Sequence, residues 1–130
     1  MSHAPFFKFA TIIKRKYPES VLQKAVIQHL KFLQKPNVLY FSIVNEGKRG
    51  VVNGQHLKEM GMLAGAADLC IIVNGKAHML ELKAKGQKQT ESQKLFEINC
   101  TKIGIPYAVA DDIDMAKKAL FSFGAIKQVG

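Results

Sequence analysis

Asp68, Glu81 and Lys83 are the residues whose types and spacing could do chemistry together. Between the two acids run two apolar stretches, Leu69 to Val73 and Lys76 to Leu80, joined by Asn74-Gly75. Asn-Gly between strand-like runs signals a hairpin, because both positions of its turn need positive φ. With those two residues as the loop, Val73 faces Lys76, and counting back sets Asp68 opposite Glu81. Directly opposed residues have Cβ atoms about 4.5–5.5 Å apart, so like charges placed there repel. Lys83 follows Glu81 by two and shares its face of the strand. Amid Leu, Ile, Val and Met, one acid would take up a proton unless a cation stood between the two. Hard oxygen ligands suit Mg²⁺ or Mn²⁺. Such an ion with a lysine beside it can bind phosphate oxygens and activate water. The plainer alternative makes Asp68 a strand start at solvent and Glu81 and Lys83 a solvated edge. The trio in this register favours the chemical reading.

The rest of the chain must position these groups. Pro18 to Leu33 reads as an amphipathic helix, with Pro18 at its first position and Leu22, Val26, Ile27, Leu30 and Leu33 on one face. Glu19 in its first turn suits the helix dipole, or reaches the acidic pocket directly or through water. His29 is a surface or packing residue. Val38 to Val44 reads as a buried strand. The loop Asn45 to Gly50 carries Lys48 and Arg49 between glycines, where a backbone can approach phosphates, or is an ordinary turn. Gln55 to Met62 reads as a short helix leading to the hairpin, with Gly61 and Gly65 as backbone requirements.

After the hairpin, Lys85 to Gln89 is a polar, basic loop containing Lys88. Thr90 is a candidate N-cap for a helix to about Lys102, with Leu95, Phe96, Ile98, Asn99 and Ile103 as its buried stripe. Gln93 falls in the first turn and could face Lys83, or is simply an exposed helical residue. Gly104 terminates that helix. Ile105 to Ala110 reads as a last strand and Asp112 to Phe123 as a last helix. The run Asp111-Asp112-Asp114 could imitate a metal site, but its place at a helix start makes capping the better account. The expected class is α/β with a mixed central sheet.

A chain of 130 residues fits a single domain, here taken as 1–130, able to bury a sizeable core. A net charge of +9 points to a polyanion, with nucleic acid first and an anionic membrane surface second. The excess lies mainly in residues 1–60, where ten Lys/Arg stand against three Asp/Glu. The segment 1–16 combines Phe6, Phe7, Phe9, Ile12 and Ile13 with Lys14-Arg15-Lys16, and reads either as a cover for its own core or as an arm on a second subunit. Cys70 and Cys100 sit in apolar patterns, as small buried hydrophobes of a reducing, cytoplasmic protein from a bacterium or phage. Neither has Cys or His at zinc-ligand spacing. No apolar run approaches membrane-spanning length, no signal peptide is evident, and no phosphate-cradling motif points to an organic cofactor.

Asp68 with Glu81-Leu82-Lys83 resembles the D…ExK core of the PD-(D/E)XK nucleases. The wider pattern resembles their virus-type replication-repair nuclease (VRR-NUC) branch, stand-alone phage or bacterial type. It comprises Glu19, then Gly65-Ala66-Ala67-Asp68-Leu69, then Glu81-Leu82-Lys83, then Gln93, and spans Glu19 to Ala110. Ala67 stands where the superfamily has a proline, which shapes the turn and is not a ligand. The resemblance implies a restriction-endonuclease-like αβββαβ core and a metal-dependent DNA endonuclease acting on phosphodiester bonds. It implies Asp68, Glu81, the Leu82 backbone carbonyl and Glu19 as ligands for Mg²⁺ or Mn²⁺. Lys83 and Gln93 would complete the catalytic set. Lys14, Arg15, Lys16, Lys48, Arg49, Lys85 and Lys88 would contact DNA phosphates. Stand-alone proteins of this type act as homodimers on four-way (Holliday) junctions, so DNA repair on branched DNA is the expected setting. The alternatives are a non-catalytic basic module that keeps the fold and, more weakly, a subunit recruiting a larger complex.

Overall fold

A computed structural model describes residues 18–44 and 51–128, apart from the side chains of 51–54. The expectations for residues 1–16, including Lys14, Arg15 and Lys16, and for Lys48 and Arg49 lie outside the described residues.

Helix α1 (Glu19–Leu33) starts one residue later than the sequence pattern predicts. Pro18 is its N-cap, in extended conformation, and its carbonyl accepts from the Val21 and Leu22 amides. Leu22, Val26 and Leu30 form the buried stripe. Strand β1 (Val38–Ser42) follows, then α2 (Val51–Glu59), earlier than the predicted Gln55 to Met62. The hairpin comes next as β2 (Leu69–Val73) and β3 (Lys76–Leu82). Helix α3 (Glu91–Lys102), β4 (Tyr107–Ala110) and α4 (Ile113–Ser122) complete the described elements.

The four strands form one mixed sheet in the order β1-β2-β3-β4. The first two pairings are antiparallel and β3–β4 is parallel. Asn74 (φ 51°) and Gly75 (φ 83°) make the left-handed turn that the Asn-Gly signal requires. The ladder runs from Val73↔Lys76 to Leu69↔Leu80, the register obtained by counting from the turn.

One face of the sheet carries Leu69, Ile71, Val73, Leu80, Leu82 and Ala110, buried under α1 and α4. The other carries Met79 and Tyr107, packed with Phe96 and Cys100 of α3. Glu81 pairs with Val109 and Met79 with Tyr107, so the acid projects on the α3 side. The sheet thus separates a largely apolar core, with His78 as its buried polar residue among the described residues of that face, from a second layer that holds Glu81 and Lys83.

Two burial expectations are corrected. Strand β1 is an edge strand, with Leu39 62% and Phe41 46% exposed. Its apolar composition suggested burial on both faces, but α3 lies over the far side of the sheet. In α3, Phe96 and Cys100 are buried, whereas Leu95, Ile98 and Ile103 are exposed. Both cysteines are buried and free. No helix among the described residues is long and apolar enough to cross a membrane.

Candidate active site

Asp68 stands one residue before β2, just past the last ladder pair. Its backbone carbonyl accepts from the Ile43 amide at 2.8 Å, which ties the position to the chain leaving β1. Its Oδ2 accepts from the Leu82 amide at 2.7 Å. The carboxylate thereby satisfies a β3 backbone donor beyond the end of the hairpin ladder. Burial pushes the Asp68 carboxyl up to about 6. The Leu82 amide opposes this, Glu19 and Glu81 add to it by repulsion, and Lys83 offsets part of it.

Glu81 is 1% exposed. Its Oε1 accepts from the Tyr107 hydroxyl at 2.7 Å and from Gln89 Nε2 at 2.9 Å. Its Oε2 is buried and has no hydrogen-bond partner. Among the described residues the cation paired with it is Lys83 Nζ at 4.0 Å, an ion-pair separation with no hydrogen bond. Lys83, itself 7% exposed, donates instead to Gln93 Oε1 at 3.1 Å. Burial of three ionisable or strongly polar groups in so small a volume is costly unless they serve one another or a ligand.

Gln93 is fixed by the capping box that opens α3. Its amide donates to Thr90 Oγ1 at 3.2 Å, and its Oε1 accepts from the Thr90 amide at 2.8 Å. One side-chain oxygen therefore caps a helix and holds the Lys83 ammonium. Gly65 brings the Asp68 segment against the same turn. A Cβ there would clash with the Ser92 carbonyl, and its φ of +80° also favours glycine.

The structure brings Asp68, Glu81, Lys83 and Gln93 to one end of the sheet on the α3 side. Glu19 acts on Asp68 through its charge. It does not close a ligand cluster, because no group of three or more His, Cys, Asp or Glu able to hold a metal occurs among the described residues. Lys85 is less free for phosphate than expected, since its Nζ lies 3.9 Å from Asp111 Oδ1 and 3.7 Å from Asp112 Oδ2. Lys88 is exposed. Asp112 caps α4 through the Met115 amide at 2.8 Å, as its place in the sequence implied. Phe123 packs on the core and against His78, with ring centroids 4.8 Å apart.

Sequence reasoning missed Gln89, Tyr107 and Glu97. Gln89 Nε2 donates to both Glu81 Oε1 and Glu97 Oε1, each at 2.9 Å. From sequence, Tyr107 is one more residue of the last strand. Its alternation with Val109, the partner of Glu81, was available as a signal only once the parallel register of β4 was known.

The donors present fit a hard divalent cation. Asp68 and Glu81 each commit one oxygen to the protein, and Glu81 Oε2 is an orphaned acceptor in a dry site. With the Leu82 carbonyl they would supply an all-oxygen set.

No protein-family model matches this chain, and neither does any curated protein. Solved structures do. A structure described as "VRR_NUC domain protein" superposes with a TM-score of 0.65 at 20% identity, over 82% of this chain and 87% of that one. Another, described as "VRR_NUC domain", gives 0.56 at 21% identity, over 80% and 94%. At this identity the likeness is one of architecture: the chain has the restriction-endonuclease-like α/β fold of VRR_NUC domain structures.

Proposed function

We propose that this protein is a metal-dependent, structure-selective DNA endonuclease that hydrolyses phosphodiester bonds. The observation that carries the reading is Glu81 Oε2, a buried carboxylate oxygen without a hydrogen-bond partner, beside Lys83. A dry anionic oxygen next to a second acid has its simplest account in a cation shared by the two. The fold and the net charge of +9 agree with a nuclease acting on a polyanion.

In this reading Asp68, Glu81 and the Leu82 carbonyl would hold Mg²⁺ or Mn²⁺, with Glu19 acting through water. The ion, when bound, would polarise a phosphate oxygen and acidify a water molecule. The Lys83 ammonium orients the attacking water and stabilises charge that grows on the phosphate oxygens. Gln93 holds that ammonium at a fixed place. The sheet and α3 keep bulk water from Glu81, which strengthens its interactions with Lys83 and a bound cation. Lys88, Lys85, Lys48 and Arg49, with Lys14, Arg15 and Lys16, are the proposed phosphate contacts. A four-way junction cut by a homodimer is the proposed substrate, since one active site per chain needs a second copy for paired incisions.

A panel of four-way, flap, splayed and linear DNA with Mg²⁺ and with Mn²⁺ tests the reading. Wild type should cut in a metal-dependent manner. Lys83→Ala should bind DNA without cutting. The absence of three converging acidic ligands among the described residues favours the second reading, a non-catalytic nucleic-acid-binding module. DNA binding without cleavage by wild type under either metal would establish that alternative.

A further inference from the structure

Glu81 could relieve its orphaned oxygen by turning toward Lys83, where a contact ion pair would close the site. Two sets of contacts oppose this collapse. On one side Gln93 Oε1 draws the Lys83 ammonium to itself at 3.1 Å. On the other, the Tyr107 hydroxyl and the Gln89 amide both seize Glu81 Oε1, at 2.7 and 2.9 Å. Lys83 Nζ and Glu81 Oε2 are left 4.0 Å apart.

The orientation of the Gln89 amide is not arbitrary. Its Nε2 lies 2.9 Å from a carboxylate oxygen of Glu81 and 2.9 Å from one of Glu97. An ionised carboxylate only accepts, so the nitrogen and its two hydrogens must face both acids. Glu97, on α3, is thus the outer anchor of Gln89. Tyr107 is anchored by its ring, which meets Phe96 edge-on with centroids 5.9 Å apart. Its hydroxyl donates to Glu81, because that partner too can only accept.

We propose that Tyr107 and Gln89 are positioning residues that clamp Glu81 by Oε1 and so leave the buried Oε2 without a protein partner, as a ligand for a divalent cation. The inference rests on the metal-dependent reading above and adds to it the groups that make the cradle. Neither residue touches the cation. Each acts through Glu81: Tyr107→Phe keeps the ring, and Gln89 lies in a loop between β3 and α3.

The test is Mn²⁺ binding to the full chain, read from the electron paramagnetic resonance signal of free Mn²⁺. It is run on wild type, Tyr107→Phe, Gln89→Ala and each of these in a Glu81→Gln background. Melting in EDTA is followed in parallel. Tyr107→Phe and Gln89→Ala should each weaken Mn²⁺ binding about ten- to a hundredfold. The lost cleavage should return at higher Mn²⁺, and the EDTA melting temperature should stay near that of wild type. In the Glu81→Gln background neither change should weaken Mn²⁺ further, because the residue they act through is gone. Wild-type affinity in both variants overturns the clamp and leaves the nuclease reading intact. A fall in melting temperature with unchanged affinity also overturns it, as a structural role alone. Wild type that binds Mn²⁺ but cuts no DNA ends the nuclease reading, while the affinity losses still support the clamp. Wild type that binds no Mn²⁺ overturns both.

Discussion

The Asp68 carboxyl is raised by burial from 3.8 to about 6. A group whose folded value lies above its unfolded one contributes stability below the unfolded value, and that contribution is lost as pH rises through the folded value. Ionised Asp68 therefore burdens the metal-free protein above about pH 6. Asp68→Asn, which can still accept from the Leu82 amide, should stabilise the protein in EDTA at about pH 8. The gain should be of order 1 kcal/mol after solvent screening, measured by denaturant melts. It should shrink through about 6 and vanish below 3.8. For the same reason Mg²⁺-dependent cleavage should fall as pH drops through about 6, because the proton and the ion compete for one carboxylate.

Lys83 has a structural consequence separate from its proposed catalytic role. With Glu81 1% and Lys83 7% exposed, removing the lysine leaves a buried acid without its nearest cation. Lys83→Met should cost about 3 kcal/mol of unfolding free energy in metal-free buffer. Pairing it with Glu81→Gln should recover much of that loss. A double-mutant cycle by chemical denaturation measures the difference, and purely additive effects would contradict the coupling.

Among the elements, the start of α3 does most to connect the fold to the site. Its capping box uses the side chain that also receives Lys83. Thr90→Ala should cost about 1 kcal/mol, as loss of a cap does. It should also lower cleavage more than that loss of stability explains, because Gln93 loses a partner that fixes its oxygen. Assays well below the melting temperature separate the two effects. Gly65 sets the other wall of the same corner. Gly65→Ala should destabilise by about 2 kcal/mol or more, since the added methyl meets the Ser92 backbone and the residue keeps a positive φ.

Across the whole molecule, the net charge of +9 is the dominant long-range property. Affinity for DNA should fall steeply with salt, with the logarithm of the binding constant linear in the logarithm of salt concentration. Replacing Lys14, Arg15 and Lys16 together by Ala should flatten that slope by up to about 3, measured by fluorescence anisotropy across a salt series. An unchanged slope would remove this triplet from the DNA interface. The exposed apolar side chains of the edge strand β1, Leu39 and Phe41, belong to the same scale, because only the placement of α3 decides that they stay uncovered.

The sequence by itself determined the parts of this protein that depend on neighbours along the chain. Asn74-Gly75 set the hairpin register by turn geometry, and with it the meeting of Asp68, Glu81 and Lys83 at one end of the sheet. Thr90, Asp112 and Gly104 marked helix ends through local hydrogen bonding and a left-handed backbone. The tertiary structure alone decided which apolar residues are covered, because the strand order puts β1 at the sheet edge and α3 packs on the β3 and β4 side of the face. It alone also brought Tyr107, Gln89 and Glu97 around Glu81, since those contacts join a parallel strand, a loop and a helix. No local periodicity encodes the distance between such segments; only packing sets it.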